Sequence, residues 1–160
     1  DIKRIKIVAQ NVKAELLKNN KIIVVVSAMS GVTNQLVGYC NEVSNLIDQE
    51  SLIEYDSIVA TGEQITCGLL ALELQSIGYK ARSFLGWQIP IHTDSVHSKA
   101  RIEDINGEAL LKELENYDVI IIAGFQGINS KTNRVIFSFF KKLSFTKGIK
   151  RNNGLKSNAL

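Results

Sequence analysis

The sequence contains few of the residues that build metal centres or disulfide frameworks, with two cysteines and two histidines among 160 residues. Cys40 and Cys67 form no CxxC pair, and only His92 and His97 could join them. Such a set is too sparse for a zinc site or a disulfide framework. We therefore predict that both cysteines are small core residues and that the chain supplies no metal ligands.

Long apolar runs are also lacking. No run approaches the roughly 20 residues that a membrane-spanning helix needs. The first residues, Asp-Ile-Lys-Arg, lack the apolar region of a secretory signal. We expect a cytoplasmic protein that makes no membrane contact.

The composition, 45% apolar and 22% charged, excludes a disordered or collagen-like chain, and the length suits one compact domain.

The basic excess is confined to the last part of the chain. Residues 136–160 hold six basic residues and no acidic one, which leaves 13 basic against 16 acidic residues in residues 1–135, a net charge of −3. A nucleic-acid-binding face needs positive charge on a folded surface, so no nucleic-acid partner is predicted. Because hydrophobic periodicity is also lost after Val135, we predict a domain over residues 1–135 and a divergent basic and aromatic tail over 136–160.

The spacing of apolar residues predicts helices that alternate with strands. Unbroken β-branched runs at residues 21–26 and 118–123 are typical of parallel strands covered on both faces. The residues from Thr61 to Gln64 fit a helix capping box, and Gly78 suits a left-handed helix end. The predicted helices cover residues 2–17, 33–47, 61–74 and 109–114, and a further strand covers 80–85. This alternation predicts an α/β fold with a mostly parallel sheet.

The loops that follow two strands are the first candidates for a binding site, because ligands of open α/β sheets bind beyond the carboxyl ends of the strands. These loops follow Val26 and Ala123. The first reads Ser-Ala-Met-Ser-Gly and leads to a helix N-terminus, which favours a phosphate or carboxylate. A plain strand-to-helix turn explains it equally well. It matches neither GxGxxG nor GxxxxGK[ST], so the Rossmann and P-loop classes are disfavoured.

Glu63 has two interpretations. A carboxylate in the first turn of a helix interacts favourably with the helix dipole, and on residue type alone this explanation is preferred. The same carboxylate could instead bind a substrate amino group at the sheet edge. His92 and His97 flank Thr-Asp-Ser at 93–95, but no serine lies in a nucleophile elbow, so covalent catalysis is not predicted.

Four motifs follow one another within residues 1–135. They are Val-Val-Val-Ser-Ala-Met-Ser-Gly-Val-Thr-Asn at 24–34, Ala-Thr-Gly-Glu-Gln at 60–64, Gly-Trp-Gln at 86–88 with Thr-Asp-Ser-Val-His-Ser-Lys-Ala-Arg-Ile at 93–102, and Ala-Gly-Phe-Gln-Gly at 123–127. In this order and spacing they resemble the aspartokinases of the amino-acid kinase family. No competing kinase of that family shares the whole set.

The resemblance implies a three-layer α/β/α sandwich that uses ATP and Mg2+ to phosphorylate the side-chain carboxylate of L-aspartate. The product is 4-phospho-L-aspartate, which leads to lysine, threonine and methionine. Ser27 would lie on the phosphate side, Glu63 would hold the substrate ammonium, and Gly124 and Gly127 would allow close backbone approach. The implied aspartate loop comprises Gly31, Val32, Thr33, Asn34 and Gln35, with Thr33 supplying its hydroxyl.

Two further motifs of that family are missing from these 160 residues. One is Lys-Phe-Gly-Gly-Thr-Ser, whose lysine neutralises the transferring phosphate. The other is Thr-Thr-Leu-Gly-Arg-Gly-Gly-Ser-Asp, in whose place the sequence reads Ile-Phe-Ser-Phe-Phe at 136–140. Losing one such charge can reduce the rate on the order of 100- to 1000-fold. No catalytic residue is therefore assigned.

From these departures we expect an aspartate kinase part that is inactive alone, has unpaired sheet edges, and carries a tail produced by a frameshift. The expected partners are L-aspartate and either further copies of the chain or a separately encoded remainder of the kinase. One alternative is a non-catalytic module that binds aspartate or supports assembly. Another is a different nucleotide-binding α/β protein, which would bind a dinucleotide instead of aspartate.

Overall fold

The computed structural model describes residues 1–89, 91–97, 100–105, 107–129, 131–137, 147–150 and 155–157. Its helices are α1 (Ile2–Leu16), α2 (Val32–Val43), α3 (Gln49–Val59), α4 (Thr61–Ser76) and α5 (Gly107–Asn116). Its strands are β1 (Asn20–Val26), β2 (Ala81–Phe84), β3 (Ile91–Thr93), β4 (Ile102–Ile105), β5 (Val119–Ala123), β6 (Gln126–Asn129), β7 (Val135–Phe137), β8 (Lys147–Lys150) and β9 (Leu155–Ser157).

The predicted parallel sheet is present, and its strand order is β2-β5-β1-β8-β9. β5 pairs in parallel with β2 on one side and with β1 on the other, where Ile22 lies opposite Val119 and Val26 opposite Ala123. All five residues of β5 are buried, which explains its unbroken apolar sequence. The α/β fold class is therefore confirmed.

Helices cover both faces of this sheet. Ile121 packs into a core that α1 and α4 supply with Val12 and Leu70. Ile120 belongs to a second core, on the face where α5 supplies Leu114. Alternate residues of one strand are thus buried against opposite helical layers, which gives the three-layer arrangement that the resemblance implies.

A second sheet, in the order β4-β3-β6-β7, was not predicted from the sequence. β3 and β6 are parallel, and the other two pairs are antiparallel. Residues 126–127 follow closely on Ala123, after which a loop is predicted, but they begin β6, whose four residues are all buried. α3 packs on this sheet, with Val59 and Phe137 in one apolar cluster.

The predicted helix over residues 33–47 is too long, and α3 was missed. α2 ends at Val43, and α3 begins after Asp48. The Asp48 carboxylate accepts from the Ser51 N–H at 2.7 Å, and the Ser51 hydroxyl accepts from the Asp48 N–H at 3.3 Å. This reciprocal pair is a capping box, which satisfies two backbone donors at a helix start.

The capping box predicted at residues 61–64 is wrong. Ala60 has a helical conformation and donates its N–H to the carbonyl of Asp56 at 3.0 Å, so it ends α3 as it starts α4. An N-cap residue normally has an extended backbone, from which its side chain can fold back onto the first turn. The two helices are instead nearly continuous, and the Thr61 hydroxyl donates to the Ile58 carbonyl at 2.7 Å.

The predictions for Gly78 and for the two cysteines agree with the structure. Gly78 follows α4 with φ +93, and the Tyr79 N–H donates to the Leu74 carbonyl at 3.1 Å. Both cysteines are free and buried, and burial raises the pKa of the Cys67 thiol to about 12.

Within the described part of the chain, no cluster of three His, Cys, Asp or Glu side chains could hold a metal ion. None of the described helices has the length and apolar character that crossing a membrane requires.

Much of the predicted tail lies outside the described residues. Ile136 and Phe137 are buried in β7, so apolar packing continues past residue 135. β8 pairs antiparallel with β1, with Lys150 opposite Asn20 and Ile149 opposite Lys21. On that side of β1, no described strand pairs with the rest of its length. The frameshift origin of the tail stays a prediction.

Gly127 is required by close packing between β6 and β3. A Cβ there would lie 2.5 Å from Thr93 Cγ2 and 2.7 Å from the Ile91 carbonyl oxygen. We expect Gly127→Ala to lower the free energy of unfolding by about 2 to 3 kcal/mol, as overpacking does. The matched control is Gly38→Ala in α2, where a Cβ meets nothing within 4 Å. That substitution should raise stability by about 0.5 to 1 kcal/mol. Equal effects of the two changes in denaturant unfolding would contradict the packing argument.

Candidate functional site

The two candidate loops lie side by side at one edge of the sheet. β1 and β5 are parallel neighbours that end together at Val26 and Ala123. The Gly124 N–H donates to the Val26 carbonyl at 2.8 Å, and a Cβ on Gly124 would lie 2.8 Å from the same oxygen. Glycine therefore allows the two chain segments to approach closely as they leave the sheet.

The loop between β1 and α2 presents backbone donors at a helix start. Gly31 precedes α2 with φ +84, a conformation that favours glycine, and no side chain caps the helix. The Val32 N–H donates to the Met29 carbonyl, and the Gln35 N–H donates to that of Gly31. The N–H groups of Thr33 and Asn34 have no acceptor among the described residues. Free donors at a helix N-terminus favour an anion.

Glu63 reaches this loop from the first turn of α4. Its side chain is 2% exposed, and one carboxylate oxygen accepts from the Ala28 N–H at 3.1 Å. The other oxygen, Oε2, is buried and has no hydrogen-bond partner within the described part of the chain. Burial raises the pKa of the Glu63 carboxyl, and the Ala28 N–H opposes that shift. A buried carboxylate oxygen without a donor is costly, and a cationic ligand group at this place would relieve that cost.

Gly62 explains how Glu63 comes so close to the loop. A Cβ at this position would lie 2.9 Å from Ala28 Cβ and 3.3 Å from Val32 Cγ1. Any other residue would push the first turn of α4 away from the loop and from the start of α2. The Thr-Gly-Glu sequence thus combines a close contact with the carboxylate that the contact brings into place.

The predicted site residues are grouped around this edge, although not all of them face it. Val32 and Thr33 are half-buried, whereas Ser27, Gly31, Asn34 and Gln35 are exposed. The Gln35 amide donates to the Tyr39 hydroxyl at 2.6 Å, one turn further along α2. The geometry therefore places Glu63 against the Ser27–Gly31 loop, and the roles of the remaining residues stay predictions.

Sequence reasoning missed a buried pair that joins α3 to the loop after β3. Asp56 is fully buried, and its Oδ2 lies 2.6 Å from Nδ1 of His97, which is 7% exposed. Asp94, the acid nearest to His97 in sequence, instead accepts from the N–H groups of Val96 and Arg101. The signal was available, because an acid at position 56 lies on the same helical face as Leu52 and Val59.

Sequence reasoning also assigned no role to the side chain of Gln126. Its side chain is fully buried. Its amide donates to the Ala60 carbonyl at 3.3 Å and accepts from the Gly86 N–H at 3.3 Å. Three segments of the chain meet at this one side chain, which lies three residues after the end of β5.

Comparisons with known proteins agree with this architecture. The sequence is 56% identical to the aspartokinase of Rickettsia felis over 135 residues, which is 84% of this chain and 33% of that protein. It superimposes on the aspartate kinase from Synechocystis with a TM-score of 0.66 and 30% identity, over 89% of this chain and 22% of the other.

A third comparison concerns the fold alone. E. coli aspartokinase III, in complex with aspartate and ADP, gives a TM-score of 0.60 at 19% identity, over 79% of this chain and 39% of that chain. The chain spans about a third of the length of the curated relatives it matches. The family model described as Amino acid kinase family matches residues 1–139, and the chain therefore belongs to the amino acid kinase family.

Proposed function

We propose that this chain provides the aspartate-binding part of a cytoplasmic aspartate kinase. Such an enzyme transfers the γ-phosphoryl group of ATP to the side-chain carboxylate of L-aspartate and forms 4-phospho-L-aspartate. The observation that carries the proposal is the buried Glu63 carboxylate with an unpartnered oxygen beside the loop that leads into α2. The similarity to the Rickettsia felis aspartokinase supports it.

The two charged ends of an amino acid suit this edge of the sheet. The Glu63 carboxylate would accept from the substrate ammonium in a charge-assisted hydrogen bond. The free N–H groups of Thr33 and Asn34, with the Thr33 hydroxyl, would donate to a substrate carboxylate. Phosphoryl transfer mainly requires that two anions be positioned and their charge neutralised, and the first of these tasks is the one these residues can perform.

The residues present fit one of the two expected cofactors. The exposed Ser27 and the backbone at Gly124 follow the adjacent strand ends, where a phosphate of ATP could approach them. For Mg2+, the described residues offer no acidic cluster, so no step is assigned to it. The 160 residues also lack the lysine and arginine motifs of the family. We therefore propose that the polypeptide alone does not turn over, and that a remainder of the kinase or a further copy completes the site.

An aspartate titration followed by a kinase assay tests this proposal. We expect calorimetry to show that the 160-residue chain binds L-aspartate more tightly than succinate, which lacks the ammonium group. A coupled assay with ATP should show no turnover unless the rest of an aspartokinase is added. Equal affinity for the two ligands would contradict the assignment of Glu63, and turnover by the chain alone would contradict the incomplete site.

The second candidate is a non-catalytic module that binds aspartate. It is favoured by the fact that the described part of the chain has the groups for an amino acid but no set for a metal ion. It predicts aspartate binding without turnover even after the remaining kinase segments are supplied. The same two measurements therefore separate the two functions.

A further inference from the structure

Gln126 is fully buried and makes two hydrogen bonds to backbone groups that are far apart in the sequence. Its Nε2 donates to the Ala60 carbonyl, and its Oε1 accepts from the Gly86 N–H, both at 3.3 Å. A neutral amide can donate to one backbone group and accept from another at the same time. The side chain therefore links β6 both to the α3–α4 junction and to the turn after β2.

The Ala60 carbonyl lies at the joint that determines where α4 begins. It accepts the first hydrogen bond of α4, from the Gln64 N–H at 3.4 Å. Three residues after Ala60 comes Glu63, whose carboxylate accepts from Ala28. Since Gly62 already packs against Ala28 without room for a Cβ, a shift of the joint would move Glu63 relative to the loop.

The contact with Gly86 holds the Gln126 side chain in one orientation. A Cβ on Gly86 would lie 3.1 Å from the backbone carbonyl oxygen of Gln126 and 3.2 Å from the Gln126 Cγ. The backbone at Gly86 therefore packs directly on this residue. Because the side-chain oxygen of Gln126 accepts from the Gly86 N–H, its amide nitrogen points toward the Ala60 carbonyl. Buried polar groups with two partners are costly to disrupt, which makes this bridge a rigid connection.

We infer that Gln126 is a positioning residue that holds the start of α4 so that the Glu63 carboxylate meets the Ala28 N–H and presents its free oxygen to the substrate ammonium. The inference rests on the proposed function. Gln126 touches no substrate in this scheme, and it acts through Ala60 and Glu63. Its effect should therefore appear in the recognition of the ammonium group and not in the binding of the carboxylates.

The ratio of the affinities for L-aspartate and succinate measures this effect in the full 160-residue chain, because only aspartate has the ammonium group. Gln126→Met has a similar size but neither donor nor acceptor. Gln126→Glu keeps an acceptor for Gly86 and loses the donor to Ala60. We expect both variants to lose about tenfold in affinity for L-aspartate and to bind succinate as the unmodified chain does. If circular dichroism shows that Gln126→Met does not fold, the Gln126→Glu variant alone tests the inference.

Two further variants separate a positioning role from the alternatives. Leu114→Ala removes a buried side chain on the opposite face of the sheet, so it lowers stability and should leave the affinity ratio unchanged. Glu63→Gln should lower the ratio at least as much as the Gln126 variants. An unchanged ratio in the Gln126 variants, or an equal loss for both ligands, overturns the inference while the proposed function stands. An unchanged ratio in Glu63→Gln overturns the proposed function, and the inference with it.

Discussion

Replacing Glu63 with glutamine is expected to weaken the binding of L-aspartate by about 10- to 100-fold, because a hydrogen bond to a charged group contributes about 1.5 to 3 kcal/mol. Glutamine has nearly the same shape, and its carbonyl oxygen can still accept from the Ala28 N–H. What it loses is the charge on the buried, unpartnered oxygen. Calorimetric titration of the variant and the unmodified chain measures the change.

The same substitution should leave the unliganded protein at least as stable at neutral pH. Burial raises the pKa of the Glu63 carboxyl above its ordinary range. Between the ordinary and the raised value, the folded chain binds more protons than the unfolded chain, so the contribution of this group to stability falls as pH rises. Above the raised pKa, the buried Glu63 carboxylate is fully charged and its destabilising effect on the fold is complete. Glu63→Gln removes this effect, so melting curves should show a higher midpoint at pH 7 and a weaker decline of the midpoint with rising pH.

The matched control is Glu108→Gln. Glu108 also lies in the first turn of a helix, but it is exposed. If the role of Glu63 were only to interact with the helix dipole, both substitutions would lower stability by similar amounts, about 0.3 to 1 kcal/mol. We expect only Glu108→Gln to do so, and we expect it to bind L-aspartate normally. A clear loss of stability in Glu63→Gln with unchanged affinity would restore the helix-dipole explanation.

The parallel sheet and the meeting of the two candidate loops could be predicted because both depend on local sequence. The apolar run of β5 is buried on both faces, and such a run needs no knowledge of its neighbours to be identified. Once β1 and β5 are taken as parallel neighbours, the loops after Val26 and Ala123 must meet at one edge. The sequence suggested only that Glu63 could lie at this sheet edge, and its contact with Ala28 and its unpartnered oxygen required the structure.

The second sheet could not be predicted because its strands are short and carry buried polar residues. β6 consists of Gln-Gly-Ile-Asn, and it is buried only because β3, β7 and the α3–α4 junction surround it. Its Gln126 is buried because its side chain bonds to the backbone groups of Ala60 and Gly86, which are 66 and 40 residues away. A polar residue whose partners lie far away in sequence has no local signature of burial.

The junction between α3 and α4 shows the same limit for helix ends. The residues from Thr61 to Gln64 satisfy the capping pattern, yet the preceding Ala60 is already helical because α3 ends there. A capping pattern predicts a helix start only where the chain before it is extended. The missed α3 therefore produced the wrong interpretation of α4. It also left Asp56, on the buried face of α3, without an assigned role.

The hydrogen-bonded Asp56–His97 pair joins α3 to the loop that follows β3. The two side chains are 2.6 Å apart and almost wholly buried. Asp56 lies one turn before Ala60, and its carbonyl accepts from the Ala60 N–H. Removing either side chain leaves the other buried without this hydrogen bond, which is the costly way to lose a buried polar contact. The pair therefore stabilises the helix whose end determines the start of α4.

We expect Asp56→Ala to lower the free energy of unfolding by about 2 to 5 kcal/mol, the range for breaking a buried, hydrogen-bonded pair. The chain contains its own control in Glu54 and Arg134, which lie 3.2 Å apart with both side chains largely exposed. Glu54→Ala should change the same quantity by less than about 1 kcal/mol. A double-mutant cycle with His97→Ala isolates the coupling, because the double variant should be little less stable than either single one. Additive losses in denaturant unfolding would show that the two side chains stabilise the fold independently, and Asp56 would then not anchor α3 through His97.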